Sequence, residues 1–188
     1  MTQSSTQQNP DLRNRNGDPT SVTIPIQRLA HGHGLPLPDY ASLGAAGIDL
    51  AAAIDDAMIL RPLQRILIPS GFALGLPAGF EAQIRPRSGL AAKYGITVLN
   101  SPGTIDSDYI GEIKILLINL GESDHKITRG DRIAQMVIQA VCRVEFSEMD
   151  ALPRTERGSQ GFGSTGFSGK ISAAVKPAPS EKKSEIYP

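Results

Sequence analysis

Proline recurs at Pro36, Pro38, Pro62, Pro69, Pro77, Pro86 and Pro102, and these breaks leave little room for long helices. The segments between them are short, apolar and bounded by turn residues: Val22–Ile26, Met58–Leu60, Arg65–Ile68, Phe72–Leu76 and Phe80–Ile84. Short strands at regular spacing predict an all-β sandwich or barrel. Further along, Ile113, Ile115 and Leu117 alternate with Glu112, Lys114 and Leu116, the period-two pattern of a strand. The run from Arg132 to Gln139 reads the same way. One short helix is expected at Ser88–Tyr94, with Ser88 as its N-cap.

The chain of 188 residues suits one domain with a real core. Residues 1–20 are polar and residues 170–188 are charged and Pro-rich, so both ends read as disordered extensions. A β domain is expected over 21–150. A glycine-rich C-terminal arm follows over 151–169, because the stretch from Arg157 to Gly166 cannot build a core. Basic and acidic side chains balance at 19 each, which gives no global electrostatic case for a nucleic-acid partner. Apolar runs fall far short of the roughly 18 residues needed to span a bilayer, so no membrane role is expected. Met1–Asn16 has no apolar signal core, and Cys142 is the single cysteine, which points to a reducing compartment and a cytoplasmic location. His31 and His33 flank Gly32 in a Gly/Pro-rich loop, and no second cluster completes a zinc set.

Several segments carry possible chemistry. Gly103–Ile115 reads as a polar hairpin: Asp106, Asp108 and Tyr109 fall in a turn between β-branched runs. A buried carboxylate near Asp106 could activate a water, and Tyr109 could pack on a flat ligand. Arg85–Ala92 sets a cation, a hydroxyl and a glycine at a strand-to-helix junction, where free N–H groups suit a phosphate. An ordinary capped helix explains it equally simply. Arg157–Gly166 adds an arginine, hydroxyls and unobstructed N–H groups around Phe162, and is not a Walker A loop. Asp49, among the small apolar residues of Ala46–Ala52, is either a satisfied structural carboxylate or a water-mediated Mg²⁺ contact. In Arg129–Val137, Gln135 could donate to a phosphate, although a turn followed by a strand suffices.

Taken in order, Ala46–Leu50, Pro86–Leu90, Gly103–Glu112, Arg129–Gln135 and Arg157–Gly166 resemble the five sequential motifs of trimeric dUTP diphosphatases. The resemblance spans roughly residues 22–166. It implies a homotrimer of jelly-roll subunits with active sites at subunit interfaces, hydrolysing dUTP to dUMP and diphosphate with Mg²⁺. Carried over residue by residue, it makes Asp106 the general base and Tyr109 the group that packs on the deoxyribose. Asn100, Thr104, Ile105 and neighbouring main chain would read the uracil edge. Arg87, Ser88, Gly89 and Gln135 would hold phosphates, and Asp49 would reach the metal through water. Lys114 would contact the nucleotide, while Arg157, Phe162, Gly163, Ser164 and Thr165 would close over it as a lid.

Two rival readings carry different expectations. dCTP deaminases share the fold, but they typically have Arg-Ser-Ser where this chain has Arg87, Ser88 and Gly89. They also need a glutamate that aligns near Leu116, and leucine cannot serve as acid or base. A non-catalytic jelly-roll binding module would tolerate loss of Asp106 and Arg157, and both are present.

Overall fold

A computed structural model describes residues 21–155 together with 158 and 159. The sequence-predicted lid residues Arg157, Phe162, Gly163, Ser164 and Thr165, and both expected tails, lie outside the described residues. The chain divides into a compact unit ending at Val144 and a second unit beginning at Glu145. In the second unit, residues 145–155 contain no helix or strand.

The first unit carries the strands β1 (Ile26–Arg28), β2 (Ile48–Ala51), β3 (Met58–Leu60), β4 (Arg65–Leu74) and β5 (Phe80–Arg85). After the helix α1 (Ser88–Tyr94) come β6 (Ile96–Val98), β7 (Gly103–Ile105), β8 (Glu112–Asn119), β9 (His125–Ile127) and β10 (Arg132–Ala140). One four-stranded sheet has the order β1-β4-β8-β6 and another has β2-β10-β5-β7, with β3 and β9 forming a separate two-stranded ribbon. Every pairing is antiparallel. The alternation of β8 buries Ile113, Ile115 and Leu117 against residues from the other sheet, including Leu50, Ile84, Ala134 and Met136. Two antiparallel sheets around one apolar core make the all-β sandwich that the proline spacing predicts, jelly-roll-like as the resemblance implies.

Local boundaries differ from expectation where proline and glycine intervene. The expected strand Val22–Ile26 gives way to β1, because Pro25 has no N–H for the ladder and pairing to β4 starts at Ile26. The two strands expected at Arg65–Ile68 and Phe72–Leu76 are one continuous strand, β4. Its register to β8 shifts between Pro69 and Ala73, a bulge that absorbs the proline, with Gly71 at φ +77°. The expected hairpin over Gly103–Ile115 also takes another form. β7 pairs with β5, whereas β8 pairs with β4 and β6, so the Asp106–Gly111 stretch links the two sheets. Helix α1 forms where expected, but its N-cap is Arg87. The Arg87 carbonyl accepts from Leu90 N and Ala91 N, which makes Ser88 the first helical residue.

One buried polar side chain ties the sheet ends together. Asn119, fully buried, donates through Nδ2 to the carbonyls of Leu60 (2.9 Å) and Ser123 (2.8 Å) and accepts from Gly121 N at 2.8 Å. Beside it, Gly121 leaves room for the Tyr94 carbonyl, which a Cβ would strike. Asn119→Ala leaves three main-chain groups without partners, and we expect it to lower unfolding free energy by about 3 kcal/mol. Urea unfolding at fixed protein concentration measures this; an unshifted midpoint would mean that the brace is redundant.

Candidate active site

Strand register explains why residues from three distant segments share a cleft. Across the second sheet, Gln135 of β10 pairs with Asp49 on one side and Arg85 on the other. The strand-to-helix turn after β5 then delivers Arg87, Ser88 and Gly89 beside Asp49. These residues, with Gly47, Lys93 and Tyr94, line a cleft of about 490 Å³. Gln135 Nε2 donates to the Pro86 carbonyl at 2.9 Å, fastening this turn to β10. A side chain at Gly47 would collide with the Gln135 amide, so glycine there gives Gln135 its place. The amide keeps a second N–H for a ligand.

Asp49 is only 17% exposed, and both of its oxygens are engaged. Arg87 Nε lies 3.0 Å from Oδ1, and an Arg132 guanidinium N–H donates to Oδ2 at 2.9 Å. Arg87 also donates to the Arg132 carbonyl at 2.9 Å, which joins the three residues into one network. Pairing thus accounts for the semi-buried acid, the structural alternative left open by its sequence context. Arg132 is the residue that sequence reasoning missed. Its position three residues before Gln135, at the start of the same strand, was the available signal. Lys93, on the last turn of α1, adds a further cation to the cleft lining.

For Mg²⁺, the fit is that of an ion carried in by a ligand. Among the described residues no three His, Cys, Asp or Glu side chains gather as a metal cage. A carboxylate offers about four lone-pair directions, so Asp49 can accept from metal-bound water while keeping both arginines. Mg²⁺ bound mainly by phosphates would meet Asp49 in that way.

The remaining sequence-predicted residues among those described lie outside this cleft. Asn100, Thr104 and Asp106 are exposed, and Ile105 is half-buried. None of them lines the Asp49 cleft. The expected burial near Asp106 is absent in the single chain, because the stretch crosses between sheets at the surface. Tyr109 is 45% exposed; its amide donates to the Asp106 carbonyl (3.1 Å) and its hydroxyl to the Glu112 carbonyl (2.9 Å). The ring lies over Gly111, where a Cβ would stand 2.6 Å from the phenolic oxygen and 2.7 Å from its ring carbon. Glycine is therefore required for this ring position. Lys114 Nζ lies 3.9 Å from Glu112 Oε2. His31, read from sequence as a loop residue, is in contact with Glu112, its Nε2 2.6 Å from Oε1.

The Arg87 guanidinium, the Lys93 ammonium, a helix start and the Gln135 amide converge on one β-sandwich cleft, a set of donors whose chemistry suits anionic groups. A dUTPase family model matches residues 34–166. The deoxyuridine 5'-triphosphate nucleotidohydrolase of Rhizobium rhizogenes (strain K84) is 59% identical over 149 residues, covering 78% of this chain and 96% of its own. That of Wolbachia sp. subsp. Brugia malayi (strain TRS) is 56% identical over 147 residues, covering 77% and 94%. Among solved structures, the Staphylococcus bacteriophage 80alpha dUTPase with dUPNHPP superposes with a TM-score of 0.69 at 24% identity, covering 77% of this chain and 98% of its own. A variant dUTPase from phage phi11 of S. aureus, described with a structural Mg(II) ion, gives 0.62 at 21% identity, covering 69% and 97%. The chain belongs to the dUTPase family.

Proposed function

We propose that this protein hydrolyses dUTP to dUMP and diphosphate in active sites shared between subunits of a homotrimer. The activity limits uracil in DNA and supplies dUMP for thymidylate synthesis. One observation carries the shared-site reading. The phosphate-type residues Asp49, Arg87, Ser88 and Gln135 meet in one cleft, while Asp106 and Tyr109 do not line it. A complete site therefore draws Asp106 and Tyr109 from another copy.

In this reading Arg87, Ser88, Gly89 and Gln135 hold phosphates, and Arg132 positions Arg87 through Asp49. Asp49 would reach Mg²⁺ through water, and the ion would supply neutralisation of the triphosphate charge. Asp106 sits within about 2.6–3.2 Å of the attacking water and takes its proton as that water adds to the α-phosphorus. Asn100, Thr104, Ile105 and the adjoining main chain read the uracil edge. A mismatched base leaves buried polar groups unpaired, which can give rejection on the order of 10⁴-fold. Thymine is refused by its methyl group. Tyr109 packs on the deoxyribose and Lys114 contacts the nucleotide, while the arm carrying Arg157, Phe162, Gly163, Ser164 and Thr165 closes over both. Among the described residues no helix is long and apolar enough to cross a membrane, and a cytoplasmic nucleotide pool suits this substrate.

Diphosphate release with Mg²⁺ and each nucleoside triphosphate in turn tests the reading. We expect rapid release from dUTP alone, and a loss of at least about tenfold on chelating the metal. Comparable rates with dTTP or UTP would overturn the specificity argument. Ammonia released from dCTP would place the chain with the deaminases instead, although Leu116 has no acid or base to offer. Equilibrium sedimentation tests the trimer.

A further inference from the structure

We infer that His31 and Glu112 are positioning residues for Tyr109, and that through it they set the choice of deoxyribose over ribose. The inference rests on the sugar-contact role proposed for Tyr109. Glu112 holds two structures at once. Its carbonyl receives the Tyr109 hydroxyl at 2.9 Å, while its carboxylate reaches the bulge in β4. There Oε1 accepts from Gly71 N at 2.9 Å and lies 2.6 Å from His31 Nε2. In the β4–β8 ladder, Ile113 alone stands opposite Ser70, Gly71 and Phe72, so regular main-chain pairing lapses at this point. The Glu112 carboxylate supplies the acceptor that the ladder lacks.

His31 is delivered on a rigid support. It lies in a 3-10 turn, Ala30–Gly32, whose preceding residue Leu29 donates its N–H to Gly71 O at 2.9 Å. Gly32 packs so closely on Gly71 that a Cβ would stand 2.5 Å from the Gly71 oxygen. Arg28 donates to the Gly32 carbonyl at 2.7 Å, and Arg129 to the His31 carbonyl at 2.8 Å. The Glu112 side chain is 12% exposed, whereas Tyr109 is 45% exposed. An open aromatic ring thus takes its position from a semi-buried clasp, whose placement is fixed before any nucleotide arrives. In the proposed site, a ring held over Gly111 would leave no room for a 2′-hydroxyl, and one released from Glu112 would tilt to admit it.

The test compares kcat/KM for dUTP and UTP in the wild type and in Tyr109→Ala, His31→Ala, Glu112→Ala and Glu112→Gln. The clasp predicts that His31→Ala and Glu112→Ala lower the dUTP-to-UTP ratio by roughly tenfold, chiefly through a rise in kcat/KM for UTP. A purely structural lesion would lower both substrates together. Glu112→Gln should restore discrimination, because the amide oxygen still accepts from Gly71 N and from a His31 Nε2–H. Amide exchange over residues 106–112 provides a second measurement, independent of turnover, and His31→Ala should accelerate it. An unchanged ratio and unchanged exchange in His31→Ala, with discrimination lost in Tyr109→Ala, would overturn the clasp alone. Retained discrimination in Tyr109→Ala would remove the sugar role itself, and the clasp with it.

Discussion

Asp106→Asn is expected to reduce dUTP turnover by about 10²–10⁴-fold while nucleotide binding is retained. The amide keeps the size and one acceptor oxygen of the carboxylate but cannot take the proton of the attacking water. The residues proposed to hold phosphate are untouched, since Asp106 does not line the cleft of Asp49, Arg87 and Gln135. The loss should therefore fall on kcat, with the binding constant for a non-hydrolysable dUTP analogue nearly unchanged. Single-turnover kinetics and calorimetric titration separate the two. Full activity in this variant would remove Asp106 as the base.

Ending the chain after Thr155 should leave a folded trimer that still binds dUMP, with turnover of dUTP falling on the order of 10²-fold. Among the described residues the main buried cluster runs from Leu50 to Met136, all of it before the cut. What it removes is Arg157 and the glycine-rich run with Phe162, Ser164 and Thr165, the groups proposed to close on the γ-phosphate and uracil. dUMP carries no γ-phosphate, which is why its binding should be the least affected. Unaltered dUTP turnover in the truncated protein would eliminate the lid.

The sequence was most informative where physical constraints are local. Proline spacing excluded long helices, the period of Ile113, Ile115 and Leu117 marked an inward strand face, and α1 fell where Ser88–Tyr94 predicted it. It was least informative where the outcome depends on residues far apart in the chain. Asp49 and Arg132 are separated by 83 positions, and His31 and Glu112 by 81, so neither partner could be read from its neighbours. The stretch from Gly103 to Ile115 shows the same limit. Both of its apolar runs have strand character, but strand character does not say which sheet a strand joins. β7 joins one and β8 the other, turning an expected hairpin into a crossover. Ser88 lost its expected capping role for a local reason, since the helix takes the Arg87 carbonyl as its first acceptor.

The Asp49 network has a consequence for how the cleft meets a highly charged ligand. Arg87 and Arg132 share one internal counter-ion, so the trio carries a single net positive charge. Both guanidinium groups are already engaged by Asp49, so less rotamer freedom is left to lose on binding than for unpaired arginines. Long-range attraction for any passing polyanion is correspondingly muted. The resting cleft thus favours ligands that fit its geometry over ligands that are merely anionic.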